Sequence, residues 1–256
     1  MSLPLFIYDL ETLLAGGTPE LPESGEVRLS GPEGRHAVSV KRIAQGERIL
    51  LSDGYGSLAT VLVTGTSGKD ALSGQVEEIT RTQISPTVTV FQALPKAERS
   101  ELAVDLLTQG GADEIVAFEA ERCVAKWVGS KRDKGLTKWR QAAIAAAKQS
   151  RRATVPQVTG PMNTAQVAAA LTTFDLALIL HEEAADPIRA ALSTADVGKA
   201  ARIAVIIGPE GGLSAQEVAV LQEAGATAIK LGPEVLRTAT AGLAALAVIG
   251  SATARW

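Results

Sequence analysis

The spacing of apolar and polar residues changes character once along the chain. From residue 1 to about 85 it predicts short strands, Phe6–Tyr8, Glu26–Ser30, Glu47–Leu51, Ser57–Val63 and Gln75–Thr80, separated by Gly, Pro and Asp. Asp53-Gly54-Tyr55-Gly56 lies between two of them and reads as a hairpin turn. R-H-A-V-S-V-K-R-I-A, between Gly34 and Gln45, reads as one short helix crossing the sheet. Short strands with a single helix predict a small β-barrel.

After Ser85-Pro86 the runs become longer and more apolar, with no alternation, as in strands buried on both faces. Thr87–Leu94, Glu114–Phe118, Asp175–Leu180 and Ile203–Ile207 are the predicted strands. Between them fall helices over Ser100–Gln109, burying Leu102, Val104, Leu106 and Leu107, and over Lys138–Gln149. Asn163 with Gln166, and Ser214 with Glu217, have the spacing of capping boxes, starting helices through Leu171 and over Ala215–Glu223. Asp186-Pro187 starts another short helix, and Thr238–Ile249 is the last. Strand and helix in alternation predict a parallel α/β sheet. The expected domains are therefore 1–84 and 85–256.

Two strands end in the same way. Ile203–Leu213 reads I-A-V-I-I-G-P-E-G-G-L and Ile229–Thr240 reads I-K-L-G-P-E-V-L-R-T-A-T, so each apolar run breaks at Gly-Pro-Glu. A glycine after a strand often does no more than turn the chain. Two matching turns at the carboxyl edge of a parallel sheet also make a ligand pocket, where backbone amides come close to a small molecule. The dinucleotide spacing G-x-G-x-x-G and the P-loop G-K-[ST] are both missing, so a less anionic guest fits better.

I-G-P-E-G-G-L-S (Ile207–Ser214) and L-G-P-E-V-L-R-T (Leu231–Thr238) resemble the two signature loops of the bacterial 16S ribosomal RNA uracil-N3 methyltransferases, of the SPOUT or α/β-knot superfamily. The likeness continues in His36, Val40 and Arg42, in Gln92–Lys96 (Q-A-L-P-K), in Glu121–Val124 with Lys138-Trp139, and in Ala146–Arg152 (A-A-K-Q-S-R-R). It implies a C-terminal trefoil-knotted parallel-sheet domain behind a small PUA-like β-barrel, a homodimer, and methylation of N3 of one uridine near the decoding site of the small ribosomal subunit. The implied cofactor is S-adenosylmethionine, held by Leu180, His181, Glu182, Ile207, Gly208, Pro209, Gly211, Gly212, Leu231, Gly232, Leu236 and Thr238. Arg237 is the candidate for orienting the base or stabilising its N3 anion, and Glu210 is either the general base or only a brace of its loop. Arg35, Lys41, Arg42, Lys96, Arg122, Lys138, Gln149, Arg151 and Arg152 would meet 16S ribosomal RNA or the assembled subunit. Many relatives have Arg where this chain has Glu234 and Glu where it has Ala239, so the acid of that loop is displaced here.

Charge adds weight to a nucleic-acid partner. The chain totals −3, but Arg122 to Arg152 holds ten Lys or Arg against Asp133 alone, so this segment is +9 and the remainder −12. Such a band on an acidic protein is either a solvated helix face or a local polyanion site. At 4% aromatic residues, base stacking is not the obvious mode of contact. One cysteine and two histidines make a poor zinc set, and no metal is expected. The first residues lack a basic stretch ahead of an apolar core and no apolar run is long enough to span a membrane, so a cytoplasmic protein is expected. Four rival readings stay open. They are an RNA-binding assembly factor without catalysis, a SPOUT methyltransferase acting on another nucleotide of ribosomal or transfer RNA, a nicotinamide oxidoreductase, and covalent C5 methylation through Cys123.

Overall fold

The computed structural model describes residues 3–194 and 197–256. It divides into two compact units, Met1–Gln83 with Ala147–Val155, and Ile84–Ala146 with Pro156–Trp256.

In the first unit the strands are β1 (Leu5–Ile7), β2 (Gly25–Leu29), β3 (Arg48–Ser52), β4 (Ser57–Ser67) and β5 (Ala71–Arg81), in the order β1-β3-β4-β5-β2. β1 runs parallel to β3 and the other pairs are antiparallel. The barrel expected from the sequence is here a five-stranded sheet with β1 and β2 at its two edges. Side chains alternate along β4, so Ala59, Val61 and Val63 face a core with Phe6, Val27, Ile49, Leu51 and Leu72. Asp53 makes the β3–β4 turn by accepting the amides of Tyr55 (2.7 Å) and Ser57 (3.0 Å).

Two short helices, α1 (Leu10–Leu14) and α2 (Gly31–Arg35), complete the unit. The helix expected from Arg35 onward starts earlier, because Pro32 suits a first helical turn, and it continues as a π-helical turn over His36–Val40. Residues 147–155 belong to this unit although the sequence reading put them in the second. Val155 donates to Gly54 O (2.8 Å), Ser52 Oγ donates to Ala153 O (2.8 Å), and Lys148 pairs with Glu33.

The second unit is a parallel sheet of β6 (Thr87–Ala93), β7 (Glu114–Phe118), β8 (Gln157–Met162), β9 (Leu176–Leu180), β10 (Arg202–Ile207) and β11 (Thr227–Ile229). Its order is β11-β9-β10-β6-β7-β8, with every neighbouring pair parallel. The helices are α3 (Ala97–Gly110), α4 (Ser130–Ser150, of which the residues from Ala147 onward count with the first unit), α5 (Thr164–Leu171), α6 (Ile188–Thr194), α7 (Ala215–Glu223) and α8 (Thr238–Ala252). Both capping boxes form, at Asn163/Gln166 and Ser214/Glu217.

Two local expectations are corrected. Leu102 is 47% exposed, because the buried stripe of α3 runs through Ala103, Val104, Leu107 and Thr108. α4 starts eight residues before Lys138, since Leu136 and Trp139 already bury its inner face. β8, a strand not named from the sequence, carries Gly160-Pro161, and as the last strand in the order it has an edge that tolerates a proline. No helix among the described residues is long and apolar enough to cross a membrane.

Candidate functional site

The three strands β10, β9 and β11 end in step: Ile207 pairs with Leu180, and Leu180 with Ile229. The loops that follow them therefore leave the sheet side by side, at its carboxyl edge, and together with the start of α8 they line one cleft of about 890 Å³. Clefts of a few hundred to about 1,000 Å³ are the usual size for cofactors.

All the residues named for cofactor or catalysis line this cleft. Leu180, His181 and Glu182 come from the β9 loop. Ile207, Gly208, Pro209, Glu210, Gly211 and Gly212 come from the β10 loop. Leu231, Gly232, Leu236, Arg237 and Thr238 come from the β11 loop and the start of α8. The β10 loop closes as a turn, the Gly212 amide donating to Pro209 O at 2.9 Å, with Gly212 at φ +68°, a region that side chains rarely adopt. Gly232 has an ordinary backbone, and a Cβ there would meet nothing nearer than Glu234 Oε2 at 3.6 Å. It lines the cleft with no side chain of its own, which suits a guest lying against the backbone.

Hydrogen bonds join these loops to the rest of the unit. Gln92 Nε2, fully buried on β6, donates to Thr238 Oγ1 (3.0 Å), and that hydroxyl donates to Gly208 O (2.7 Å). Glu210 Oε1 accepts the Lys96 amide at 3.0 Å, so this carboxylate ties the β10 loop to the segment after β6. Arg122 Nη1 donates to Gly211 O at 3.1 Å. His181 Nδ1 accepts the Glu183 amide at 3.2 Å, which leaves the ring proton of neutral His181 on Nε2.

Sequence reasoning missed several lining residues. Arg99, Glu183, Lys230 and Glu234 add charge, while Leu213, Ala215, Val218, Val235 and Ala241 add apolar surface. Lys230 and Glu234 were inside the quoted motif, and Arg99 follows Lys96 by less than one helical turn, so nearness to a motif was the available signal. Glu234 faces the cleft, whereas Ala239 is 2% exposed, so the acid of this loop is present at the cleft wall.

The nine residues named for RNA fall in both units. In the first, Arg35, Lys41, Arg42, Gln149 and Arg151 are exposed, and Arg152 is half-buried and donates to Thr154 Oγ1 at 2.9 Å. In the second, Lys96 and Lys138 are exposed, Lys138 lying 3.7 Å from Glu101, and Arg122 lines the cleft. Lys148, counted in the basic band, is only 15% exposed and pairs with Glu33 at 2.5 Å, so it is removed from any RNA face. Cys123 is 5% exposed, and burial pushes its thiol up from the ordinary range, away from the thiolate that a covalent route needs. Among the described residues no group of three His, Cys, Asp or Glu could hold a metal ion.

Residues 83–250 match the RNA methyltransferase domain family, so the parallel sheet and its cleft are those of an RNA methyltransferase domain. The chain is 44% identical to ribosomal RNA small subunit methyltransferase E of Mycobacterium bovis, over 92% of this chain and 90% of that one. It is 31% identical to the protein of the same name from Bacillus subtilis, over 91% and 93%. The chain belongs to the ribosomal RNA small subunit methyltransferase E family. Among solved structures it is similar to a Legionella pneumophila protein in complex with S-adenosylmethionine as bound cofactor (TM-score 0.83, 27% identity, 99% of both chains). It is also similar to ribosomal RNA small subunit methyltransferase E of Neisseria gonorrhoeae bound to S-adenosylmethionine (TM-score 0.81, 27% identity, 98% of both chains).

Proposed function

We propose that this protein methylates N3 of a specific uridine in small-subunit ribosomal RNA, with S-adenosylmethionine as donor. The observation that carries the reading is the cleft, where three in-step strand ends and two glycine-bearing loops meet Arg122 and Arg237. When bound there, S-adenosylmethionine supplies a methyl group on a sulfonium, which leaves as a neutral thioether. The N3–C bond forms as the S–C bond breaks, and the imide proton goes from N3 to a base or to solvent.

Backbone groups of residues 207–213 and 231–238 hold the adenosine, and Leu180 to Glu182 meet the methionine or ribose part. Positioning of donor and nitrogen in line supplies much of the rate. Arg237, at the N-cap of α8, steadies the negative charge that the base gains as the N3 proton leaves. Glu210 serves as a brace, because one of its oxygens already accepts the Lys96 amide. The nine RNA residues supply phosphate contacts. The resemblance further supports a PUA-like RNA-binding role for the first unit, a knotted second unit, a homodimer and a cytoplasmic location.

The test is mass-spectrometric mapping of small-subunit ribosomal RNA from cells lacking the gene, then treatment of that RNA, free and in subunits, with purified protein and S-adenosylmethionine. Appearance of 3-methyluridine at one position is the expected result. A methyl group at C5 or on another nucleotide overturns the N3 reading, and no transfer at all favours an assembly factor.

A further inference from the structure

Glu217 lies in the first turn of α7 and is 5% exposed, yet its carboxylate accepts hydrogen bonds from three separate segments. Oε2 takes the Ser214 amide at 2.9 Å, which completes the capping box. Oε1 takes the Glu121 amide at 2.9 Å and the Thr164 hydroxyl at 2.8 Å, neither of which capping requires. The residue after Glu121 is Arg122, which lines the cleft and donates to Gly211 O at 3.1 Å. A Cβ on Gly211 would lie 3.4 Å from Arg122 Cβ, so the two loops touch. A closed circuit results, from Glu217 through Glu121 and Arg122 to the glycine loop and back through Ser214.

We propose that Glu217 is a positioning residue for methyl transfer, clamping the loop that carries Arg122 against the glycine loop so that cation and cofactor cradle keep one arrangement. The proposal rests on the reading of the cleft as the cofactor and nucleotide site. Only a carboxylate suits the position: it accepts at both oxygens, whereas Gln would turn an NH₂ toward a donor. Burial alone would raise the pKa of Glu217, but the donors of Ser214, Glu121 and Thr164 outweigh it and hold the group below the ordinary glutamate value. The clamp is therefore complete at neutral pH and opens only as pH falls through that lowered value.

The experiment compares Glu217→Gln, Arg122→Ala, the double variant and Thr164→Val, with S-adenosylmethionine affinity by calorimetry and methyl-transfer kinetics on small-subunit RNA. Glu217→Gln is expected to weaken cofactor affinity about tenfold, as loss of a supporting hydrogen bond does elsewhere. The double variant is expected to be no worse than the weaker single one within about twofold, since both break one circuit. Thr164→Val keeps the capping box intact and is expected to weaken affinity about threefold, which covers the case of Glu217→Gln failing to fold. Wild-type affinity is expected to fall more steeply at acid pH than that of Glu217→Gln, which keeps the carboxylates of Glu182, Glu183, Glu210 and Glu234 at the cleft wall. Variants that bind as wild type does, or whose effects multiply, overturn the clamp. A wild-type protein that binds no S-adenosylmethionine overturns the cleft's reading and the clamp with it.

Discussion

The hydroxyl of Thr238 donates to the carbonyl of Gly208 at 2.7 Å, joining the first residue of α8 to the first glycine of the β10 loop. The same oxygen accepts from Gln92 Nε2 at 3.0 Å, so one small side chain satisfies groups on β6 and on the β10 loop. Thr238→Val keeps the shape and leaves both partners short of a hydrogen bond inside the protein. A cost of about 1–3 kcal/mol in stability is expected. Cofactor affinity should fall with it, and Thr238→Ser should restore most of both. Urea unfolding and calorimetry with S-adenosylmethionine read the two effects separately.

Gly232 gives a cleaner test of the cleft than Gly211. A side chain at 211 would meet Arg122 at 3.4 Å, so a loss there reports on the contact between loops. At 212 the positive φ of +68° would add backbone strain. At 232 a Cβ meets only Glu234 Oε2 at 3.6 Å and otherwise enters the cleft proposed for the cofactor. Gly232→Val is expected to leave the thermal midpoint nearly unchanged and to lower S-adenosylmethionine affinity at least about tenfold, the equivalent of about 1.4 kcal/mol. Undiminished affinity would remove this loop from the site.

The parts of this architecture that sequence makes legible are those decided locally. Asn163 with Gln166 and Ser214 with Glu217 satisfy helix-end amides from within four residues, so their spacing alone sets two helix starts. Ile203–Ile207 is apolar at every position because β10 has a strand on each side, β9 and β6, and both faces covered. The cleft was legible for the same reason, since its walls are continuations of such strands. Residues fixed by distant partners were not. Lys148 looks like part of a basic surface until Glu33, 115 positions away, is found beside it. Arg99 reaches the cleft only through the way α3 leaves β6, and Leu102 is exposed because α3 buries a different stripe.

The Lys148–Glu33 pair predicts how the first unit responds to acid. Glu33 also accepts the Ile7 amide at 2.9 Å, and Lys148 Nζ lies 3.1 Å from His36 Nδ1. Burial first, and Lys148 second, hold His36 below its ordinary value of 6.5, with Glu33 opposing them in part. Below pH 6.5 the unfolded chain takes up a proton at His36 that the folded protein resists. Stability from this group is therefore full above 6.5 and declines as pH falls toward the lowered folded value. His36→Phe should flatten the decline of the urea midpoint between about pH 7 and pH 5. Glu33→Gln leaves a nearly buried ammonium without its counterion, at a cost of about 3 kcal/mol. A midpoint that does not move on Glu33→Gln would mean that Lys148 finds solvent instead.

The basic band predicts a salt dependence that can be assigned residue by residue. Lys131 and Lys134 are exposed in the first turns of α4, and as phosphate contacts each should release one counterion from RNA on binding. For single-stranded RNA each such contact contributes about 0.7 to the slope of log affinity against log salt. The Lys131→Ala, Lys134→Ala double variant is therefore expected to lower the slope by about 1.4 and to weaken binding to every RNA sequence alike. Affinity for S-adenosylmethionine should not change, because neither residue lines the cleft. Filter binding across a series of potassium chloride concentrations gives the slope. If it equals that of the wild type, the start of α4 lies off the RNA path, and the basic band is the solvated helix face that its composition also allows.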